Sequence, residues 1–220
     1  MRTLCAAAHA LARLRLAGQR LPIPRRVCPG EPDTPVDGDG WAGAFSKQLR
    51  VAAAALGRSQ VPRVVPTRGV STVGVVHDCL FYNPKWMSRA GNAICGGDRA
   101  CLDELVLGIA AHETSHLLDA DQAAGGSQPL DARAAELVAD RRAGAVLAGE
   151  AASLSPLLRA LGLGSSGATH SHPHPAVRRD AVLAGAARAR RGDGHGFGRG
   201  GRGPAALDGL VAKTPFGSHR

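Results

Sequence analysis

Two histidines four residues apart, in His112-Glu113-Thr114-Ser115-His116, are the side chains best placed to do chemistry. On a helix, positions four apart share a face, with about 5–6 Å between Cβ atoms. Two imidazoles so arranged can reach one ion at roughly 2.0–2.1 Å. Glu113 sits one residue on, turned toward the side where water would bind. A carboxylate there can take a proton from that water and pass it to a leaving amine. Alone, the pentad also fits a surface helix carrying a glutamate and two solvated histidines. A catalytic zinc site keeps three protein ligands and one open position, so a third ligand should follow. Glu136 answers this, twenty residues after His116 in Ala135-Glu136-Leu137-Val138-Ala139-Asp140, with Gly125-Gly126 between them to reverse the chain. Asp140 is four residues beyond Glu136, hence on the same face. It can accept the far N–H of a ligating histidine, fixing its tautomer and raising its basicity. The plainer alternatives are a surface carboxylate at Glu136 and an Asp140 paired with Arg141 or another arginine.

A third segment, Thr169-His170-Ser171-His172-Pro173-His174-Pro175, precedes a stretch with Arg178 and Arg179. Hydrolysis through a tetrahedral intermediate needs a positive or hydrogen-bonding group near the oxyanion. His172 or Arg178 could supply it. A separate histidine-rich tract, or a plain helix entry, would look the same.

These side chains must be held by a particular set of elements. Ala and Leu dominate the apolar residues while aromatics are only 3%, which predicts a helix-rich core of small aliphatics. Helices are expected over about 41–56, 102–118, 131–148, 154–161 and 176–190. Asp98 or Asp103 would help start the second, Asp131 would cap the third, and Gly162 and Gly164 would end the fourth. The β-branched runs 61–65 and 70–76, followed by Cys79-Leu80-Phe81-Tyr82, predict three short strands, the last stopped by Asn83-Pro84. Residues 1–20 read as an amphipathic helix, 21–40 as a proline-rich linker, and 191–220 as a Gly/Arg-rich low-complexity tail.

The net charge of +9 comes from 27 Lys plus Arg against 18 Asp plus Glu. The basic residues concentrate at the termini and no nucleic-acid motif accompanies them, which weighs against nucleic acid as a partner. No apolar stretch spans a membrane, because Leu4 to Ala12 is too short and ends at Arg13. Nor do residues 1–27 read as a secretory signal. The cytoplasm is therefore favoured, with export or an organelle left open. None of the five cysteines forms a C-x-x-C pair, which excludes a cysteine knuckle. Cys95 and Cys101 flank a short loop that could close as a disulfide, and the odd count leaves at least one thiol over.

Together the pentad, the E-x-x-A-D stretch and the later H-P pair resemble gluzincin metallopeptidases of the HtpX and CAAX-prenyl-protease type. The resemblance runs over about residues 75–187, roughly half the chain, and includes Phe81-Tyr82-Asn83-Pro84. It implies one zinc ion held by His112, His116 and Glu136, Glu113 as general base, and Asp140 as a partner behind the ligands. His172 with Arg178 six residues on matches the family's H-P segment, whereas His174 has Asp180 at that spacing. The twenty-residue gap to Glu136 and the Asp four beyond it are also similar to thermolysin. Ser115 departs from the pattern, since the family most often has Gly there. Many members carry transmembrane helices and this chain has none, so it resembles the short soluble branch.

The expectation is thus an α+β, zincin-like metallopeptidase domain over residues 41–190, flanked by residues 1–40 and 191–220. It would hydrolyse peptide bonds in a peptide or protein substrate. Zinc would polarise the carbonyl and activate water, Glu113 would shuttle the proton, and His172 or Arg178 would steady the oxyanion. The substrate would add to an edge strand near Val73 to Tyr82. Two other readings use the same sequence: a zinc-binding protein without turnover, or an acidic-surface or nucleic-acid binder acting through the Gly/Arg tail.

Overall fold

Aliphatic residues packed around the buried Phe45–Tyr82 ring pair fill the centre of the molecule, and a helix buried on nearly all sides runs through it. The computed structural model describes residues 28, 40–128, 130–163 and 172–192. The expected helix over 1–20, the linker and the Gly/Arg tail lie outside the described residues, save Cys28, Gly40, Arg191 and Gly192. His170 and Ser171 also lie outside them. Among the described residues there are six helices and three strands. In chain order they are α1 (Trp41–Ala55), β1 (Arg63–Pro66), β2 (Val73–Val76), β3 (Cys79–Tyr82), α2 (Pro84–Cys95), α3 (Arg99–Ala124), α4 (Ala132–Gly149), α5 (Ser155–Gly162) and α6 (Pro175–Arg190).

The sheet has the order β1-β3-β2, with β1 parallel and β2 antiparallel to β3. All four residues of β3 are buried, as a central strand requires. This corrects the expected site of strand addition. Tyr82 and its neighbours in β3 already pair on both sides, so within Val73 to Tyr82 only β2 presents an edge.

Asn83-Pro84 does more than stop β3. The Asn83 side chain accepts from Lys85 N and Trp86 N, and Pro84 occupies the first turn, where its missing N–H costs nothing. The pair therefore opens α2, a helix absent from the expected set. The Asn83 amide also donates to Val70 O at 2.9 Å, tying the strand end to the loop before β2.

Helix α3 is longer than expected at both ends: Asp98 caps it at Ala100 N and Cys101 N, and it continues past Leu118 to Ala124. Seven consecutive residues, Leu105 to Ala111, are buried. A helix apolar all round belongs inside, and α3 packs against α1, α4, α5 and β2. Its far end is fixed by Arg58, itself buried, which donates to Asp121 Oδ2 at 2.9 Å, to Asp78 Oδ1 at 2.6 Å and to the carbonyl of Gln60.

Asp131 caps α4 through Ala134 N at 2.9 Å, as its residue type and place predict. Helices α4 and α6 approach unusually closely. A Cβ on Gly144 would strike the Val182 carbonyl, and one on Gly185 would strike the Arg141 carbonyl. Both glycines are buried in ordinary helix, so what they supply is space.

Cys95 is joined to Cys101 across the turn between α2 and α3. A second disulfide, Cys28–Cys79, was not expected and ties the segment before α1 to β3. Among the described residues, no helix is long and apolar enough to cross a membrane.

Candidate metal centre

Three helices converge on one cluster of polar groups. The α3 pair contributes His112 and His116, α4 contributes Glu136 and Asp140, and α6 contributes Arg178. His172 comes from the segment just before α6. The His112 and Glu136 side chains are each 12% exposed and Asp140 is fully buried, so charges here are poorly screened.

The three expected ligands lie together. His112 Nε2 is 3.1 Å from His116 Nε2 and 3.5 Å from Glu136 Oε2, while His116 Nε2 is 3.4 Å from Glu136 Oε1. Atoms bound tetrahedrally to one ion at 2.0–2.1 Å are separated by about 3.3–3.4 Å. The separations are close to that edge length, with His112 facing one Glu136 oxygen and His116 the other. One ligand atom from each residue can be chosen so that all lie within 4.8 Å of one another.

The tautomer of His112 follows from its other nitrogen. Its Nδ1 is 3.0 Å from Asp140 Oδ1, and a carboxylate beside it can only accept. The proton therefore sits on Nδ1, and the Nε2 lone pair faces His116 and Glu136. This is the arrangement expected of Asp140 and of a metal-ligating histidine.

Electrostatics agree with a cation here. Burial opposes charging of His112, but the adjoining Asp140 and Glu136 carboxylates outweigh that and push the imidazole up to about 10. Burial likewise favours the neutral form of Glu136, yet the adjacent His112 and His116 imidazoles and Arg178 hold its carboxyl well below the usual range. Asp140 is lowered too, with hydrogen bonds from His112 and Arg178 overcoming its burial. The group calls for positive charge, whether proton or metal. One buried atom bears on the choice. Glu136 Oε2 has no hydrogen-bond partner, although it lies 3.1 Å from Arg178 Nη2. That separation gives Coulomb attraction without the alignment of a hydrogen bond, leaving an oxygen free to ligate. The donor set of two neutral imidazole nitrogens and a carboxylate fits zinc.

Glu113 is buried beside this group. Burial raises its carboxyl above the ordinary value, and the neighbouring His112 and His116 moderate the rise. A raised carboxylate is a better proton acceptor, as a general base should be.

Arg178 is placed differently from the expected oxyanion partner. Its Nε donates to Asp140 Oδ2 at 2.7 Å and its Nη2 to Asp140 Oδ1 at 2.9 Å, and Nη2 also faces Glu136. Its burial disfavours the charge, but Asp140 more than compensates and keeps it cationic. The guanidinium is a brace across the two α4 carboxylates. His172 is half-exposed, with Nε2 3.6 Å from Glu136 Oε1, at the rim of the cluster. His174 is turned to another task, with Nδ1 accepting from Ala176 N to cap α6.

A neighbouring group escaped the sequence reading. Arg142 on α4 is buried, and its Nη1 donates to Ser115 Oγ at 2.9 Å and to Asp119 Oδ1 at 2.5 Å. Arg142 is one of 27 basic residues, and its only sequence signal was Ser115 standing where glycine was expected.

No protein family, curated protein or solved structure matches this chain.

Proposed function

We propose that this chain is a zinc-dependent metalloendopeptidase of the gluzincin type, with a zincin-like fold and a site similar to that of HtpX and the CAAX prenyl proteases. The observation that carries the reading is the convergence of His112 Nε2, His116 Nε2 and the Glu136 carboxylate, with the two imidazole nitrogens 3.1 Å apart and each 3.4–3.5 Å from one of the two carboxylate oxygens. Behind them, Asp140 fixes the tautomer of His112.

His112 Nε2, His116 Nε2 and a Glu136 oxygen would hold the ion. When bound, zinc supplies a Lewis acid that polarises the scissile carbonyl and lowers the pKa of water. The chain's own groups do the rest. Glu113 takes the proton from the attacking water and delivers it to the leaving amine. Arg178 keeps Glu136 and Asp140 ionised and in place, so it is a positioning residue. That leaves His172, at the rim, to donate toward the oxyanion. An extended peptide can pair with the edge of β2 that no strand covers among the described residues. The two disulfides form and persist in oxidising compartments, which favours export over the cytoplasm.

Paired variants test this. Wild type should bind one zinc per chain and cleave an unfolded protein substrate. Glu136→Ala should lose stoichiometric zinc. Glu113→Gln should keep zinc and lose about 10²–10⁴-fold in rate. Full hydrolysis by Glu113→Gln would sink the mechanism. Zinc retained without any hydrolysis or hydroxamate binding by the wild type would leave a metal-binding protein instead.

A further inference from the structure

We propose that Arg142 is a positioning residue for the metal centre, setting the spacing between the helix that carries His116 and the helix that carries Glu136. The proposal rests on the zinc reading above and adds a part that the motif does not contain.

The geometry is specific. His116 belongs to α3 and Glu136 to α4, so their 3.4 Å separation depends on how closely two helices approach. Arg142 leaves α4 six residues after Glu136. Helical side chains lean toward the N-terminus of their helix, which carries this one back toward Glu136. Its guanidinium then crosses to α3 and grips it on both sides of His116. Ser115 is the residue before that ligand, and Asp119 lies three residues after it. A second contact, from Nη1 to the Ser115 carbonyl at 3.5 Å, reaches the backbone itself. The Ser115 hydroxyl that replaces the expected glycine is thus a partner of Arg142.

The arrangement is costly if stability were its purpose. The Arg142 side chain is 10% exposed and Asp119 18%. Arg142 Nε and Asp119 Oδ2 are buried with no hydrogen-bond partner. An apolar side chain of similar size would fill the seam without leaving those groups unmet, and buried ion pairs are often neutral or worse for stability. What the ion pair offers over an apolar filler is direction. One nitrogen held by two α3 side chains fixes the axial position of α4 as well as its distance.

Zinc affinity and Co(II) spectroscopy test this on the full-length chain. Wild type, Arg142→Met and Ser115→Ala would be stripped of metal, titrated with zinc against a chromophoric chelator, and loaded with Co(II). Thermal unfolding of each apo form would be followed in parallel. Arg142→Met is expected to weaken zinc binding about tenfold, the lower end for partners standing behind ligands. It should also shift the visible d–d bands of bound Co(II), which report ligand geometry. Ser115→Ala should move both readouts in the same direction, by less. A purely structural role would lower the melting temperature and leave affinity and the Co(II) spectrum unchanged, which would overturn the proposal. Should Arg142→Met fail to fold, Arg142→Lys decides. Lysine keeps a charged donor beside Asp119 but carries it on a flexible stem of different reach, so an altered Co(II) spectrum supports the proposal and a wild-type one overturns it. A wild type that binds no zinc would instead remove the metalloendopeptidase reading, and this inference with it.

Discussion

Helix α4 is held on two sides in two different ways. Toward α3 its seam is polar: Asp140 meets His112, Glu136 faces both histidines, and Arg142 reaches Ser115 and Asp119. Toward α6 its seam is backbone against backbone, with Gly144 under the Val182 carbonyl and Gly185 under the Arg141 carbonyl. The first seam holds the candidate metal ligands and contains buried atoms without partners. The second carries none, and by closing tightly it brings one side chain, Arg178, onto the two α4 carboxylates. The difference separates two needs of a metal site. Ligands require directional groups, which pack imperfectly. Support for those ligands requires rigidity, which close packing supplies at low polar cost.

The largest expected effect comes from breaking the close seam. Gly185→Ala puts a methyl against the Arg141 carbonyl, a backbone atom that cannot rotate away. Overpacking of this kind should cost about 3 kcal/mol, read as a lower urea midpoint with unchanged slope. Zinc affinity should fall as well, since Arg178 rides on α6. Gly43→Ala is the matched control. Gly43 is an exposed α1 glycine with nothing near its missing Cβ, so alanine there should stabilise by about 0.5–1 kcal/mol. Equal midpoints for Gly185→Ala and wild type would mean the two helices do not cross this closely.

The two seams also differ in how legible they are from sequence. The polar seam announces itself through His112, His116, Glu136 and Asp140, because spacing of four on a helix is a strong local rule. The caps at Asp131 and the course of α3 and α4 follow from equally local signals. The glycine seam gives no such sign. Gly144 and Gly185 look like ordinary helix-weakening residues until the partner backbone is seen, and which helices meet is a nonlocal matter. The same holds for the central place of β3, which depends on a parallel pairing with β1 across the intervening β2. Helix α2 was within reach, since Asn83-Pro84 is a cap followed by a first-turn proline. Arg142 and Arg58 are out of reach, because burial, not residue type, distinguishes them from the other 22 arginines.

A smaller effect is expected from Asp140→Asn, which attacks both seams at their meeting point. Asparagine keeps the size but offers a neutral amide to His112 Nδ1 and to the Arg178 fork. Weakening the partner of a ligating histidine typically costs 10–100-fold in metal affinity. The fold should survive, because the close Gly144 and Gly185 contacts between α4 and α6 do not involve Asp140. Measured by competition with a chelator, zinc binding by Asp140→Asn should fall within that range. Wild-type affinity would show that His112 needs no such partner to present Nε2.

The smallest effect is expected from Arg178→Lys, and it sharpens the comparison most. The close α4–α6 seam could serve the site by delivering a charge or by delivering a fork. Lysine keeps the charge but replaces a planar, two-pronged donor by a point charge on a flexible stem. Arg178 bridges Asp140 through two nitrogens and faces Glu136 with one of them. An ammonium cannot reproduce that geometry from the same Cα. Charge alone should still keep Glu136 and Asp140 ionised, so zinc should bind only severalfold more weakly, a loss of about 1 kcal/mol or less. If Arg178→Lys instead falls as far as Asp140→Asn, geometry is what the glycine seam provides. If it matches wild type, the seam delivers charge, and its tightness serves stability alone.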